Sequence, residues 1–436
     1  QGAQGAQGAQ GAQGAQGAPA GLLRRGATSA WQLGRQLLHL GGVSIQPARS
    51  ADERDRLAEA SLAAELLSET SLFLNQPTMA FLAALEATNA AAGLGPSAAL
   101  ARGYATLSVA FGYVPWPRVV GAYARRAEQA AMASEDPQAE AFVAFMRGLT
   151  ALGEGRCRDA RELLERAEQG AARVGNRRRQ EECIALLGTA AHFEGAWAES
   201  LARFATLQVS ARRSSNAQGL VWARSGRAQT LLLLGEGEEA AELLEELLHS
   251  AEQSGDRAQQ ITLGQVAAAH AMRGDRAAAR RAAERTLALL RAQGKPAAFH
   301  AVHGYVATCE VLLDALEEAG SEEERRALGP AAREACRALR RYAQIFPLGR
   351  PDALRLTGVS DWLGGKKRRA RRRWERAASE AARMGLPVHE GLARYEARRL
   401  DAQDPERRWS LLRAEEIFER LGMEYWRGRV ERARLG

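Results

Sequence analysis

From Trp31 onward, apolar positions recur with a helical period in stretches of 12–20 residues, and Gly, Asn, Asp and Pro separate each stretch from the next. The separators are regularly spaced. Gly155, Gly195, Gly235 and Gly274 stand 40, 40 and 39 residues apart. Counting back by the same step reaches Pro115 and Asn75; counting forward leaves room for two longer units that turn near Gly320 and at Gly365. Five residues after a separator comes a small side chain (Ala80, Ala160, Ser200, Ala240, Ala279, Ala370), with Val120 the larger exception. Seven residues before it comes another (Ser68, Ser108, Gly148, Gly188, Ala228, Ala267, Gly358). Helices joined by a tight turn approach closely only where side chains are small, so the two-sided match marks a helical hairpin. The second helices then end at stop signals: Gly175-Asn176, Ser215-Asn216, Gly255-Asp256, Gly294-Lys295 and Gly385-Leu386-Pro387. A glycine there adopts the left-handed conformation that ends a helix. One hairpin cannot bury its own apolar face, so neighbours must stack, each touching the next.

Composition agrees. Ala, Leu, Arg and Glu dominate, and β-branched residues are sparse, which favours helix over sheet. Hydrophobic residues are 46% of the 436 and charged residues 26%, a globular balance. No apolar run reaches the ~18 residues of a membrane span. No basic-apolar-small leader opens the chain, and its cysteines (Cys157, Cys183, Cys309, Cys336) lie too far apart in sequence for a disulfide framework or a CxxC metal site. A reducing cytoplasm is the expected compartment. All but three of the 60 basic residues are arginine, and a net charge of +8 is a weak field over so long a chain, so neither nucleic acid nor membrane is an expected partner. Residues 1–18 are six copies of Gln-Gly-Ala, too few and too poor in proline for collagen. The domain reading is therefore a disordered low-complexity tail at 1–30 and a helical repeat array at 31–436. The chain opens on Gln1 rather than Met, so further sequence is expected upstream.

The hairpin pattern resembles tetratricopeptide repeats in a long, ~40-residue form. The matching pieces include Arg147-Gly148-Leu149-Thr150-Ala151-Leu152-Gly153-Glu154-Gly155-Arg156 and Leu231-Leu232-Leu233-Leu234-Gly235-Glu236-Gly237-Glu238-Glu239-Ala240. Ala151, Ala191 and Leu231 stand where such repeats often carry a tyrosine, so these units are divergent. Gly34-Arg35-Gln36-Leu37-Leu38, Arg177 to Cys183, Gly391 to Glu396 and Ile417 to Gly422 resemble the C-terminal helical region of large bacterial signalling ATPases. In those proteins a protein kinase or nucleotide cyclase domain and a P-loop module come first. The resemblance implies an all-α fold, an α-solenoid (right-handed superhelix) of about eight or nine tetratricopeptide-like hairpins.

The sequence completes no catalytic motif. No Gly-x-x-x-x-Gly-Lys-Ser/Thr loop is present, since Gly294-Lys295 and Gly365-Lys366 both lack its other elements. His300 and His303 share a helix face but have no carboxylate or second cysteine at ligand spacing. Cys183 and His192, nine residues apart on one helix, would sit about 13 Å apart. Lys366 to Arg373 is the strongest charge run, read as a solvated helix face. No catalytic, cofactor or metal residue is expected. The function implied is a scaffold or sensor arm of a bacterial signal-transduction ATPase, binding a protein or peptide, or the upstream domains of its own polypeptide. The alternatives are a fragment of a kinase or cyclase with its catalytic domains upstream, and a repeat-containing transcriptional regulator. In tetratricopeptide-like arrays the first helix of each hairpin lines the groove, about 13, 10, 6 and 3 residues before the turn. For the units turning at Gly195 and Gly235 this gives Glu182, Thr189 and His192, then Trp222, Ser225 and Gln229, with Ala185 and Leu232 completing the sets. Trp222 is the expected anchor.

Overall fold

The computed structural model describes residues 30–41, 50–73, 76–113, 116–296 and 298–435. The Gln-Gly-Ala repeats and the expected turns at Asn75 and Pro115 lie outside them. Every regular element among the described residues is a helix. The chain forms two compact units: the first reaches Ala110 and includes Arg118–Ala139, and the second takes Phe111–Pro117 and everything from Glu140.

The first unit holds α1 (30–40), α2 (Ala51–Phe73), α3 (Pro77–Ala92), α4 (Ala98–Phe111) and α5 (Pro117–Ser134). Small residues let its helices approach. The Ser68 hydroxyl donates to the Ala80 carbonyl at 2.9 Å across the α2–α3 hairpin, and Gly103 of α4 lies against Thr88 of α3. A buried amide network joins the helices: Gln36 Nε2 donates to Asn89 Oδ1 at 2.7 Å, and the Tyr123 hydroxyl donates to Gln36 Oε1 at 3.2 Å.

In the second unit the helices run in pairs: α6 (Pro137–Gly153) and α7 (Cys157–Arg173), α8 (Arg177–Glu194) and α9 (Trp197–Ser214), α10 (Ala217–Leu234) and α11 (Gly237–Ser254). The next first helix is broken in two, α12 (Arg257–Leu263) and α13 (Val266–Met272), before α14 (Arg276–Gln293). Then follow α15 (Val302–Glu318) with α16 (Glu322–Ile345), α17 (Arg350–Leu363) with α18 (Lys367–Met384), and α19 (Pro387–Tyr395), α20 (Pro405–Arg420) and α21 (Glu424–Leu435). The expected turn glycines are left-handed: φ is 75° at Gly155, 76° at Gly195, 94° at Gly235, 81° at Gly274 and 77° at Gly365. A side chain there would be strained. At the stops, Ser215 takes φ 55° in glycine's place. Asn176, Asn216 and Asp256 cap the following helices, accepting from backbone amides at 2.9–3.0 Å. Each cap contributes about 1 kcal/mol.

The close contacts fall where the small residues stand. Ser200 donates to the Gly188 carbonyl at 3.0 Å, and a Cβ on Gly188 would sit 3.1 Å from the Phe204 ring. Gly188→Leu is expected to cost about 3 kcal/mol by overpacking this buried α8–α9 contact. Thermal unfolding checks it, and an unchanged melting temperature would remove Gly188 from the contact.

The expectation that repeats touch only their neighbours does not hold within this unit. The first helices α8, α13, α15, α17 and α19 face inward, and α19 comes back against α8. The Trp197 indole donates to the Leu421 carbonyl at 2.7 Å across 224 residues. Leu421 and Tyr425 lie over the turn glycines Gly195 and Gly235. Apolar side chains at the C-terminal end, which a simple stack would leave bare, are buried by this return.

Three of the seven cations in the basic run are paired, and by residues other than the nearby Glu375 and Glu380. Arg369 and Arg373 pair with Asp361 at 3.1 and 2.7 Å, Arg371 pairs with Asp404 at 2.5 Å, and the Lys367 ammonium lies 5.0 Å from the Trp362 ring centre. All four cysteines are buried free thiols. Folding brings Cys309 of α15 and Cys336 of α16, distant in sequence, to 3.2 Å between sulfurs.

Candidate functional site

The inward faces of α10, α13, α15, α17, α19 and α21 in the second unit enclose a cavity of about 700 Å³. Its walls alternate between apolar side chains such as Val306, Leu356 and Leu392 and charged ones. The charged part is ordered around Arg355 of α17. Its guanidinium contacts Asp352 at 3.1 Å, Glu396 at 3.2 Å and Glu310 of α15. Arg355, Asp352 and Glu396 are each at most 5% exposed at the side chain. Arg398 and Arg399 close on the other side of Glu396. Burial alone would raise the pKa of these acids. The surrounding cations win: Arg399, Arg398 and Arg355 bring Glu396 down to about 2, and His389 and Arg355 hold Asp352 well below the usual carboxylate range.

Three histidines from three helices meet beside this network. His192 of α8 and His303 of α15 lie 5.1 Å apart between ring centres, and Phe193 stacks on His303 at 5.6 Å and reaches His389 of α19 at 5.8 Å. His192 is 2% exposed, and its Nδ1 is 3.1 Å from the Thr230 hydroxyl. Burial, reinforced by the neighbouring imidazoles, depresses its pKa well below the ordinary value and brings His303 down to about 3. Both are therefore neutral packing groups at pH 7.

Three cavity-lining side chains carry a buried polar atom with no partner among the described residues: Gln265 Nε2, Trp426 Nε1 and His389 Nδ1. The His389 Nε2 faces Asp352 Oδ2 at 3.2 Å. Each of the three unpartnered atoms is costly to leave unpaired. Trp426 belongs to an aromatic wall with Tyr395 and Tyr425, and the Arg429 guanidinium lies over the Trp426 ring at 5.1 Å.

The sequence candidates divide. His192, Gln229 and Leu232 line the cavity. Glu182 and Trp222, nearer the N-terminal ends of α8 and α10, do not, and neither do Thr189 and Ser225. Glu182 pairs with Arg179 at 2.5 Å, and the Thr189 hydroxyl donates to the Ala185 carbonyl. Trp222 is half-buried against Ile184, Ala185, Phe204, Leu207 and Ala223, and the Ser225 hydroxyl donates to the Trp222 carbonyl at 3.3 Å. The acidic, basic and aromatic residues of the C-terminal half were not singled out from sequence. The same offsets counted back from Gly320 and Gly365 land on Glu310, Asp314, Asp352 and Arg355. Cys183 is a core residue whose thiol burial pushes up to about 12. No three His, Cys, Asp or Glu side chains gather as a metal site among the described residues.

No family profile matches the sequence, and no curated protein matches it. Solved structures do match the fold. The crystal structure of Rap protein complexed with competence and sporulation factor is similar over 86% of this chain and 97% of that one, at 11% identity and a TM-score of 0.57. The apo form of RapI covers 86% and 96% at 10% identity with a TM-score of 0.48, and the P58(IPK) TPR domain covers 86% and 98% at 13% identity with a TM-score of 0.21. At such identities likeness carries the fold and nothing finer, and the first comparison joins the hairpin geometry in one conclusion: the chain is an all-α helical-repeat protein of tetratricopeptide-like hairpins.

Proposed function

We propose that this chain is a binding arm that holds a linear peptide segment in the cavity of its second unit. The observation that carries the reading is the trio of unpartnered polar atoms on Gln265, Trp426 and His389. Unpartnered polar groups along a half-apolar wall suit the alternating C=O and N–H groups of an extended backbone. His192 and Gln229 would take part in the cavity, and Glu182, Thr189, Trp222 and Ser225 would meet flanking residues of the partner along the same helices. The solved Rap structure holds a competence and sporulation factor. That parallel supports a bound factor as the partner here. The sequence resemblance extends the proposal: the arm would serve a bacterial signal-transduction ATPase in the cytoplasm, biasing a kinase or cyclase domain encoded elsewhere in the polypeptide. The gene sequence upstream of Gln1 tests that extension.

The binding reading is tested by selecting a displayed library of random linear peptides on the purified chain. Ala268 lines the cavity and is half-buried, so Ala268→Trp should fill the space. Selected peptides should bind the native chain and lose at least tenfold in affinity to Ala268→Trp, with the circular dichroism spectrum kept. A library that yields no peptide sensitive to this substitution overturns the reading.

A further inference from the structure

Resting on that reading, we propose that the cavity selects peptides bearing a basic side chain, and that the carboxylate of Asp314 receives it. Helix α15 turns three acids to the cavity at successive turns, Glu310, Asp314 and Glu318. Two are engaged within the chain: Glu310 by Arg355, and Glu318 by Arg276 at 2.9 Å. Asp314 stands between them, exposed to the cavity it lines, with no ion pair or hydrogen bond among the described residues. The cations around it are committed elsewhere. Arg398 and Arg399 close on Glu396, Arg399 also holds Glu317 at 2.5 Å, and Arg429 lies over the Tyr395, Tyr425 and Trp426 rings. An anionic or uncharged group placed here would leave Asp314 unsatisfied, whereas a lysine or arginine head would complete the one carboxylate of the stripe that lacks a counter-ion.

Separate observations point to a ligand in the same cavity. Gln265 is 2% exposed, lines the cavity, and has an unpaired Nε2. Trp426, in the aromatic wall beneath Arg429, has an unpaired indole N–H. Both would donate to peptide carbonyls flanking the basic residue. The surroundings also give the pocket a pH signature. Burial among its neighbours and the Glu310 carboxylate raise Asp314 to about 6, against the opposing pull of Arg398 and Arg399, with Glu396 adding to the rise. Arg429 of α21 also feels its charge. A bound cation favours the ionised form, so binding releases a proton near and below pH 6. Affinity should therefore be full above about pH 7 and fall as pH drops through 6.

The test repeats the peptide selection on the native chain and on Asp314→Asn. Because Asp314 faces the cavity and holds no partner in the chain, the variant should fold, which a thermal melt verifies. Peptides chosen by the native chain should be enriched in Lys and Arg over the input, and those chosen by Asp314→Asn should not. By fluorescence anisotropy, a selected basic peptide should bind the native chain about tenfold more tightly than the variant. Its affinity for the native chain should drop about tenfold from pH 7.5 to pH 5, and that for the variant should stay level. Selected peptides without basic enrichment, or enrichment that survives Asp314→Asn, overturn the assignment and leave the binding arm standing. A selection that yields no cavity-dependent peptide overturns both.

Discussion

Arg355→Leu should lower the stability of the second unit by about 3–5 kcal/mol at pH 7, the usual cost of stranding one side of a buried ion pair. For a unit of this size that is a fall of about 10 °C in melting temperature. The substitution would leave Asp352 with His389 alone and Glu396 with Arg398 and Arg399, both acids 4% exposed at the side chain and without the guanidinium that bridges them. Neither can turn to water without opening α17 or the segment after α19. The pH dependence distinguishes this cause from simple loss of packing. In the native chain both carboxyls have depressed pKa values, Glu396 at about 2. Their ionised forms therefore contribute stability above about pH 4, the unfolded range, and that contribution is lost as pH falls toward 2. In the variant the acids protonate more readily, so the gap between the two proteins should narrow below pH 4. Chemical denaturation at pH 7 and pH 3 measures it. An equal gap at both values would mean that Arg355 acts through its aliphatic stem.

How much of this could be read from the sequence depends on the range over which each feature is determined. The left-handed glycines, the Asn and Asp caps and the small residues beside each turn depend on neighbours a few positions away, so a repeat of about 40 residues displays them directly. The break between α12 and α13 does not announce itself. Gly264 and Gln265 sit inside an apolar stretch that reads as one helix, and the reason for the break lies in α15 and α14, which crowd it. The return of α19 to α8 rests on contacts such as Trp197 with Leu421, which no periodicity carries. The cavity lies between these extremes. His192 and Gln229 follow from the groove offsets of two units. Arg355 and Asp314 obey the same offsets, but in a chain with 60 basic and 52 acidic residues a single charge at a groove position does not stand out. What marks them is their partners, or the lack of one, and only folding decides that.

The contact that breaks α12 from α13 also sets the other large expectation. A Cβ built on Gly304 of α15 would lie 1.8 Å from the Ile261 carbonyl oxygen and 2.9 Å from its carbon. Both atoms are backbone, so neither can swing aside as the Phe204 ring can beside Gly188. Gly304→Ala must push α15 away from α12, although it adds one methyl group. The cost should exceed that of Gly188→Leu and reach about 4 kcal/mol or more, in the range reserved for core disruption. Gly320, with open space around it and no left-handed φ, is the control. Its alanine variant should stay within about 0.5 kcal/mol of the native chain. The damage should also reach binding, since Gln265 hangs from the residues displaced and Asp314 from the helix that moves. At a temperature where Gly304→Ala remains folded, it should bind selected peptides at least tenfold more weakly. A Gly304→Ala protein that melts with the native chain would show that α12 and α15 stand further apart than the 1.8 Å approach requires.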